Sequence, residues 1–406
     1  MSTPVILLDC NLRNTEGIIY SFGKRKVPVI GLSADPNPPA FQSRYVQKKL
    51  ISPHISQEEE YLCFLTNLEE RGVIMCSDDA SAAFLSRHRD FLRSRGFLLN
   101  VPEAATFERA FNKDKVFEEC RKAGVPTIPT WKINSLSDFQ RVWDENGGPL
   151  LIKPTRLAGG HYVIVRRQED LEEAYGRIRR LVMDKAFEYR QSEIIAQEFI
   201  QARYQDLYCC ETYYSPDARP AGFLTIRKER PDINRDGTAG SRLYAGVSQE
   251  NEQLEQYTRK LLDHLQWKGF GHVEYIYSAK YQDYLLCEVN PRLPGFSNYL
   301  TKVGFEIAWH YYADLVGIKY GLPAFRKSVY MEALRVPGDL TSSLYAVFKG
   351  YMSGSDFIRP YLRIFQSGYI VCIDVFFRQD PLFTLAYWSK FLRYLLLRPF
   401  KRQHAK

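Results

Sequence analysis

The stretch LLCEVNPR at residues 285–292 constrains the fold and chemistry of this chain more than any other. It begins as an apolar strand and ends at a proline. Because side chains alternate across a strand, Glu288 and Asn290 share one face, and Arg292 joins them if the extended chain continues. Carboxylate and amide oxygens are ligands that Mg²⁺ prefers, and a planar guanidinium suits phosphate oxygens. The stretch therefore predicts a strand that carries a metal and phosphate site.

A second acid lies on the strand-like run just before this stretch. Glu274 sits within residues 271–277, and the polar segment 278–283 has the composition of a hairpin turn. Antiparallel pairing would place Glu274 across from Glu288 or Asn290. Two carboxylates and an amide on one face repel one another unless a cation lies between them. A solvated strand edge explains any one of these residues, but the set together favours a metal site.

The N-terminal part of the chain alternates between strand-like and helix-like segments. Apolar runs at 5–8, 27–32 and 73–76 predict strands, and residues 80–94 predict a helix. Such alternation indicates an α/β fold that begins with a doubly wound parallel sheet. The loop at 9–14 lacks the glycine fingerprint of dinucleotide sites, which excludes a dehydrogenase of the usual kind.

Two lysine-bearing segments follow. Residues 106–123 predict a helix that stops at Gly124, and this helix carries Lys113 and Lys115. The two lysines point in different directions on a helix, and each is ordinary as a solvated lysine. Lys153 ends an apolar strand, and the loop after it contains Gly159 and Gly160. A lysine beside a glycine-bearing loop is one way to cover a triphosphate with charge and backbone amides. A Walker-type GxxxxGK[ST] is absent from the sequence, which excludes a P-loop enzyme.

Further strands are predicted between this loop and the hairpin. Residues 194–200, 207–213 and 221–226 have strand-like composition. The stretch 227–242 is rich in charged residues and glycine, so it predicts a basic loop that would attract an anionic substrate. Residues 250–264 predict the helix that leads into the hairpin.

Composition narrows the classes of function. A chain of 406 residues predicts two or three domains, and its net charge of +8 favours anionic partners. The basic residues are dispersed and no nucleic-acid motif occurs, so nucleic acid is not an expected partner. The eight cysteines lack zinc-type spacing, and neither a signal peptide nor a spanning apolar run is evident. These features predict a cytoplasmic protein.

The order of these features resembles the ATP-grasp superfamily, and within it the ATP-dependent carboxylate–amine ligases near carbamoyl-phosphate synthetase and D-aspartate ligase. The resemblance covers roughly residues 106–320. It implies an α/β chain with a nucleotide-fold-like domain, a two-lobed ATP-grasp domain and a C-terminal extension. The implied bounds are 1–105 for the first domain, 106–190 for the lobe with the glycine loop, 191–323 for the catalytic lobe with the metal site, and 324–406 for the extension.

The resemblance also implies roles for matched residues. ATP phosphates would be held by Lys115, Lys153, Gly159 and Gly160. The adenine would meet the segment of Gln197, Glu198, Phe199 and Ile200, and the ribose would meet Asp206. Two Mg²⁺ ions, or Mn²⁺ in their place, would be bound by Glu274, Glu288 and Asn290. The catalytic cations would be Lys228, on the transferring phosphoryl group or the substrate carboxylate, and Arg292, on the phosphates or the acyl phosphate.

The implied function is an ATP-dependent ligase that joins a small-molecule carboxylate to an amine through an acyl phosphate and releases ADP and phosphate. A cell-envelope or polysaccharide precursor is a conceivable substrate on the same resemblance. The alternative is a non-catalytic ATP-binding regulator that keeps the fold. Retention of Glu274, Glu288, Asn290 and Arg292 argues against the alternative, because a degraded site should lose metal ligands first.

The C-terminal residues leave two readings open. Residues 383–397 form a helix-like run rich in aromatic residues and leucine, with Lys390 and Arg393 among them. Such a helix either packs on the core or lies peripherally on an anionic membrane at the inner face. A dimer is also compatible with the sequence.

Overall fold

A computed structural model describes residues 2–10, 15–156, 162–184, 192–233, 239–321, 330–334, 336–365, 369–373, 378 and 380–401. Within these residues the chain forms three β-sheets. These residues include the predicted hairpin and the elements around it. The predicted Gly159 and Gly160 lie outside the described residues.

The first sheet is parallel and has helices on both faces, as the α/β pattern predicts. Its strand order is β3-β2-β1-β4. Alternate residues of β1 enter different cores, since Val5 and Leu7 pack with α1, whereas Ile6 and Leu8 pack with α2 and α3. The elements are β1 (Val5–Leu7), α1 (Glu16–Lys24), β2 (Val29–Ser33), β3 (Val46–Ile51), α2 (Glu58–Thr66), β4 (Val73–Met75), α3 (Asp79–Arg87) and α4 (Arg89–Ser94).

Two details of this sheet differ from the sequence prediction. Strand β3 was not predicted, because its sequence VQKKLI carries two lysines and, at the edge of the sheet, only its first residue, Val46, is buried. The single helix predicted at 80–94 is two helices that meet at His88.

The second sheet is antiparallel, with strand order β5-β8-β6-β7. It includes β8, which the predicted boundary at residue 190 assigns to the following lobe. The helix predicted at 106–123 is broken at Asn112, and Gly124 ends it in the left-handed conformation that glycine tolerates. The elements are α5 (Ala104–Phe111), α6 (Lys113–Ala123), β5 (Thr130–Ile133), α7 (Leu136–Asn146), β6 (Leu150–Pro154), β7 (Val163–Val165), α8 (Leu171–Asp184) and β8 (Ile194–Glu198).

The third sheet has seven strands in the order β13-β12-β9-β10-β11-β14-β15. Its first elements are β9 (Leu207–Tyr214), β10 (Pro220–Ile233), β11 (Ala239–Gln249), α9 (Glu252–His264), β12 (Gly269–Ser278), β13 (Asp283–Asn290), α10 (Ser297–Lys302) and α11 (Ile307–Val316). Its last elements are β14 (Tyr330–Leu334), α12 (Val336–Phe348), α13 (Gly354–Leu362), β15 (Tyr369–Ile373) and α14 (Pro381–Lys401).

One prediction about this part of the chain was wrong. The stretch 227–242 is not one loop, because β10 continues to Ile233 and β11 begins at Ala239. Charged residues on β10 suggested a loop, although one of them, Arg230, is 2% exposed and paired in the interior. The predicted extension, 324–406, contributes β14 and β15 to the seven-stranded sheet.

Helix α14 packs on the N-terminal domain. Phe383 and Tyr387 are buried in the core that contains α1, and Lys390 pairs with Asp35 at 2.8 Å. This contact matches the packed reading of the helix, although Leu382 and other residues on its outer side are exposed. Among the described helices, none is both long and apolar enough to span a bilayer. Membrane contact and dimer formation stay predictions.

Candidate functional site

The predicted metal ligands meet on one face of the seven-stranded sheet. Strands β12 and β13 form the predicted antiparallel hairpin, which places Glu274 opposite Glu288 and His272 opposite Asn290. Strand β9 continues both rows, with Cys209 beside Glu274 and Glu211 beside His272. Because residues directly opposite in paired strands face the same side, these positions make one polar face.

Glu274 is held by two cations. Its Oε2 accepts a hydrogen bond from Lys228 Nζ at 2.5 Å, and its Oε1 accepts one from His272 Nε2 at 3.0 Å. Burial alone would raise the pKa of Glu274, but Lys228 and His272 outweigh burial and lower it. Burial would likewise lower the pKa of Lys228, whereas Glu274 raises it. Both groups are therefore charged at neutral pH.

Glu288 is paired with a lysine that the sequence did not single out. Lys113 Nζ lies 3.2 Å from Glu288 Oε2, and Asn290 Nδ2 donates to Glu288 Oε1 at 3.3 Å. Burial and then the charge of Lys113 lower the pKa of Lys153 to about 8, whereas the nearby charge of Glu288 raises it. Lys115 is exposed, and its charge helps to lower the pKa of Glu193. The structure thus brings Lys113 and Lys153 to the carboxylates, and it does not place Lys115 with them.

Arg292 joins the hairpin to the N-terminal domain. Its Nε donates to Asp79 Oδ1 at 2.5 Å and its Nη2 to Asp79 Oδ2 at 3.3 Å, at the start of α3. Burial would lower the pKa of Arg292, but Asp79 outweighs burial and raises it. Asp78, the residue before Asp79, caps α3 by accepting from Ala80 N. The predicted phosphate contact of Arg292 therefore starts from a side chain already fixed by an ion pair.

The predicted adenine segment ends β8. Gln197 is buried and donates to Thr130 Oγ1 at 2.9 Å, so its side chain stays within the small sheet. Glu198 accepts hydrogen bonds from Lys280 and Tyr281, which lie in the turn of the β12–β13 hairpin. The small sheet and the seven-stranded sheet are therefore in contact at this edge.

The remaining residues of this segment face apolar or charged neighbours. The guanidinium of Arg166 lies 5.0 Å from the ring centroid of Phe199. Ile200 packs beside Ile128 and Ile276, in a cluster that the two sheets share. The predicted ribose contact, Asp206, accepts hydrogen bonds from Arg203.

The donor set of the face fits magnesium. Glu274, Glu288 and Asn290 offer hard oxygen atoms on two strands in register, which is the chemistry that Mg²⁺ prefers. Lys228, Lys113 and Lys153 place positive charge at the same carboxylates, or next to them, and would meet phosphate oxygens there. The face can therefore neutralise a polyphosphate from several sides.

Sequence reasoning missed two kinds of residue here. In the sequence Lys113 looks like an ordinary solvated lysine, as Lys115 does, and the resemblance implied a phosphate contact for Lys115 instead. Glu211 lies in an apolar strand some sixty residues before the hairpin, and only the pairing of β9 with β12 brings it to His272. The one sign of Glu211 in the sequence is that it is the single acidic residue within the strand LYCCETYY.

Known proteins match this chain in sequence over part of its length and in fold over most of it. No protein-family model matches the chain. Over 111 residues the chain is 33% identical to the alanine–anticapsin ligase of Bacillus subtilis (strain 168), a match that spans 26% of this chain and 23% of that ligase. The matched part of the chain thus spans less than a quarter of that relative's length.

Solved structures match most of the chain. Biotin carboxylase from Campylobacter jejuni, in complex with an ATP ligand, superposes with a TM-score of 0.62 at 16% identity, over 80% of this chain and 72% of that one. N5-carboxyaminoimidazole synthetase from Staphylococcus aureus superposes with a TM-score of 0.59 at 13% identity, over 79% and 78%. At such identities the likeness establishes the fold. The chain therefore has the fold of these two enzymes over about four fifths of its length.

Proposed function

We propose that this protein is an ATP- and Mg²⁺-dependent ligase that joins a carboxylate to an amine. The observation that supports this most is the polar face of the seven-stranded sheet, where Glu274 and Glu288 lie opposite each other and Lys228 and Lys113 pair with them. Such a face suits two cations and a polyphosphate.

The proposed chemistry overcomes the poor reactivity of a carboxylate. A carboxylate oxygen attacks the γ-phosphorus of ATP, the bond to the bridging oxygen breaks, and ADP leaves. The acyl phosphate that forms is attacked at carbon by the amine lone pair. Phosphate then leaves with the bonding electrons, the nitrogen loses a proton, and an amide remains. The protein contributes mainly positioning and neutralisation of charge.

Each part of the site has a role in this proposal. Glu274, Glu288 and Asn290 would hold Mg²⁺, which supplies Lewis-acid stabilisation of phosphoryl oxygens when bound. Lys228 would stabilise the transferring phosphoryl group, and Arg292, fixed by Asp79, would meet the phosphates or the acyl phosphate. The phosphates would be held by Lys113, Lys115, Lys153, Gly159 and Gly160. The adenine and ribose would lie along the end of β8 and the segment after it, at Gln197, Glu198, Phe199, Ile200 and Asp206.

The substrates belong to this proposal as well. The named relative, alanine–anticapsin ligase, joins an amino acid to a second compound, which favours an amino acid as one substrate here. A cell-envelope or polysaccharide precursor is the class that the sequence resemblance suggests for the other.

The purified protein is expected to release ADP and phosphate only when acid and amine are both present. An amino-acid panel is combined with candidate carboxylates, including envelope precursors, and nucleotide products are separated by chromatography. Formation of AMP and pyrophosphate would contradict the proposal. Tight ATP binding without turnover across the panel would favour the regulatory alternative.

The two lysines of α6 are expected to differ in importance. Lys113→Met should lower kcat/KM for ATP by roughly a hundredfold, because it removes the buried cation beside Glu288 and with it a proposed charge-assisted contact to the phosphates, worth about 1.5–3 kcal/mol. Lys115→Met should cost less than about tenfold, because that side chain is exposed. Steady-state kinetics in ATP compare the two variants directly. A larger loss in the Lys115 variant would show that Lys115, rather than Lys113, dominates phosphate binding.

A further inference from the structure

Two buried charged residues lie behind Glu274 and have no part in the proposed reaction so far. Glu211 on β9 is fully buried, and His272 on β12 is 5% exposed. They are register partners, so the pairing of β9 with β12 holds them side by side. Among the described residues, Glu211 Oε2 is buried without a hydrogen-bond partner. A carboxylate removed from water in this way is costly unless it balances a cation.

His272 is that cation. Its Nδ1 lies 2.5 Å from Glu211 Oε1, and its Nε2 lies 3.0 Å from Glu274 Oε1. An ionised carboxylate only accepts hydrogen bonds, so both ring nitrogens must donate and the imidazole is protonated. Glu211, His272 and Glu274 thus form one chain of charge-assisted hydrogen bonds.

This series of hydrogen bonds ends at Glu274, which is a proposed metal ligand. Glu274 Oε1 is fixed by His272 while Oε2 faces Lys228, so removal of His272 would leave one oxygen free to rotate. A ligating carboxylate binds a metal well only when its orientation is set in advance, which is the usual task of the residues behind it. Resting on the proposed function, we infer that Glu211 and His272 are positioning residues that hold the Glu274 carboxylate in the orientation in which it binds Mg²⁺.

A separate metal site at this place fits the geometry less well. Cys209, Glu211 and His272 offer ligand atoms that lie within 4.8 Å of one another, and all three residues are buried. A metal would need a ring nitrogen of His272 as a ligand. Both ring nitrogens already donate to carboxylates, and the Nδ1 to Oε1 distance of 2.5 Å leaves no space for an ion between them. The trio therefore supports Glu274 rather than an ion of its own.

The test measures Mg²⁺ dependence apart from turnover. Binding of ATP is followed by calorimetry at increasing Mg²⁺ in the wild type, Glu211→Gln and His272→Ala. We expect the Mg²⁺ concentration at half-maximal binding to rise about 10- to 100-fold in both variants. His272→Gln should recover part of the loss, because an amide N–H can still donate to Glu274. The KM values for acid and amine should stay near those of the wild type.

A matched control separates positioning from a purely structural role. Asp339→Asn changes another fully buried carboxylate, which pairs with Arg230 away from the hairpin. It should lower the melting temperature and leave the Mg²⁺ dependence unchanged. If Glu211→Gln and His272→Ala behave in the same way, the inference is overturned while the proposed function stands. Failure of the wild type to bind ATP in a Mg²⁺-dependent manner would overturn both.

Discussion

Glu288→Gln is expected to lower turnover by roughly two to three orders of magnitude while the protein stays folded. The substitution keeps the shape of the side chain and removes the charge that lies opposite Glu274 across β12 and β13. It weakens the attraction for Mg²⁺ and removes the carboxylate that lies 3.2 Å from Lys113 Nζ. Glu288 is partly exposed, so its pair with Lys113 contributes little to folding, and the melting temperature should stay close to that of the wild type. ADP release and thermal melting measure the two effects.

A second carboxylate on the same strand provides the control. Asp283 is the first residue of β13 and accepts hydrogen bonds from Tyr257 and Gln253. It lies at the end of the hairpin away from the proposed metal ligands. Asp283→Asn removes the same charge from the same strand, and it should leave turnover within about twofold of wild type, since it touches no proposed ligand. Full activity of the Glu288 variant would rule out the metal assignment. Equal losses in both variants would point to a distorted hairpin.

The hairpin was predictable at the level of single residues because its signals are local. Side chains in a strand alternate with period two, and a polar turn between two such runs allows only a few registers. The sequence therefore limited the partner of Glu274 to Glu288 or Asn290, and the structure selects Glu288. The same local logic predicted the end of α6 at Gly124.

Contacts that depend on packing between distant segments were not predictable in this way. Which of Lys113 and Lys115 meets β13 depends on how α6 is rotated against the sheet, and helical spacing alone says only that the two diverge. The link from Glu211 to His272 joins residues 61 positions apart. The charged residues of β10 suggested a loop, because a single sequence gives no sign that Arg230 has a buried partner.

Arg230→Met is expected to destabilise the protein by about 3–5 kcal/mol, because it leaves a buried carboxylate without its counter-ion. Arg230 Nη1 lies 3.1 Å from Asp339 Oδ2 on α12, and Nη2 donates to the carbonyl oxygen of Phe357 on α13 at 2.8 Å. The arginine thus fixes both helices to β10. Chemical denaturation should measure the lower free energy of unfolding. Limited proteolysis should cleave the variant faster than the wild type at sites after residue 336.

The pH dependence of this loss tests its cause. Burial already raises the pKa of Asp339, although Arg230 opposes that rise. Without Arg230 the folded-state pKa should rise further above the unfolded value, so the folded state would bind the extra proton. Stability of the variant should then be highest below the unfolded pKa of about 4 and fall as pH rises through the folded-state pKa. A loss equal at pH 5 and pH 8 would contradict the buried-charge explanation.

Removing both charges should restore much of the stability. In Arg230→Met combined with Asp339→Leu, the interior holds apolar groups of similar size and no carboxylate is left unpaired. The double variant should be more stable than Arg230→Met alone and should lose that variant's pH dependence. The loss of stability in the double variant could instead equal the sum of the losses in the two single variants. In that case the hydrogen bonds from Arg230 to the α13 carbonyl groups, rather than the ion pair, hold the C-terminal helices on the sheet.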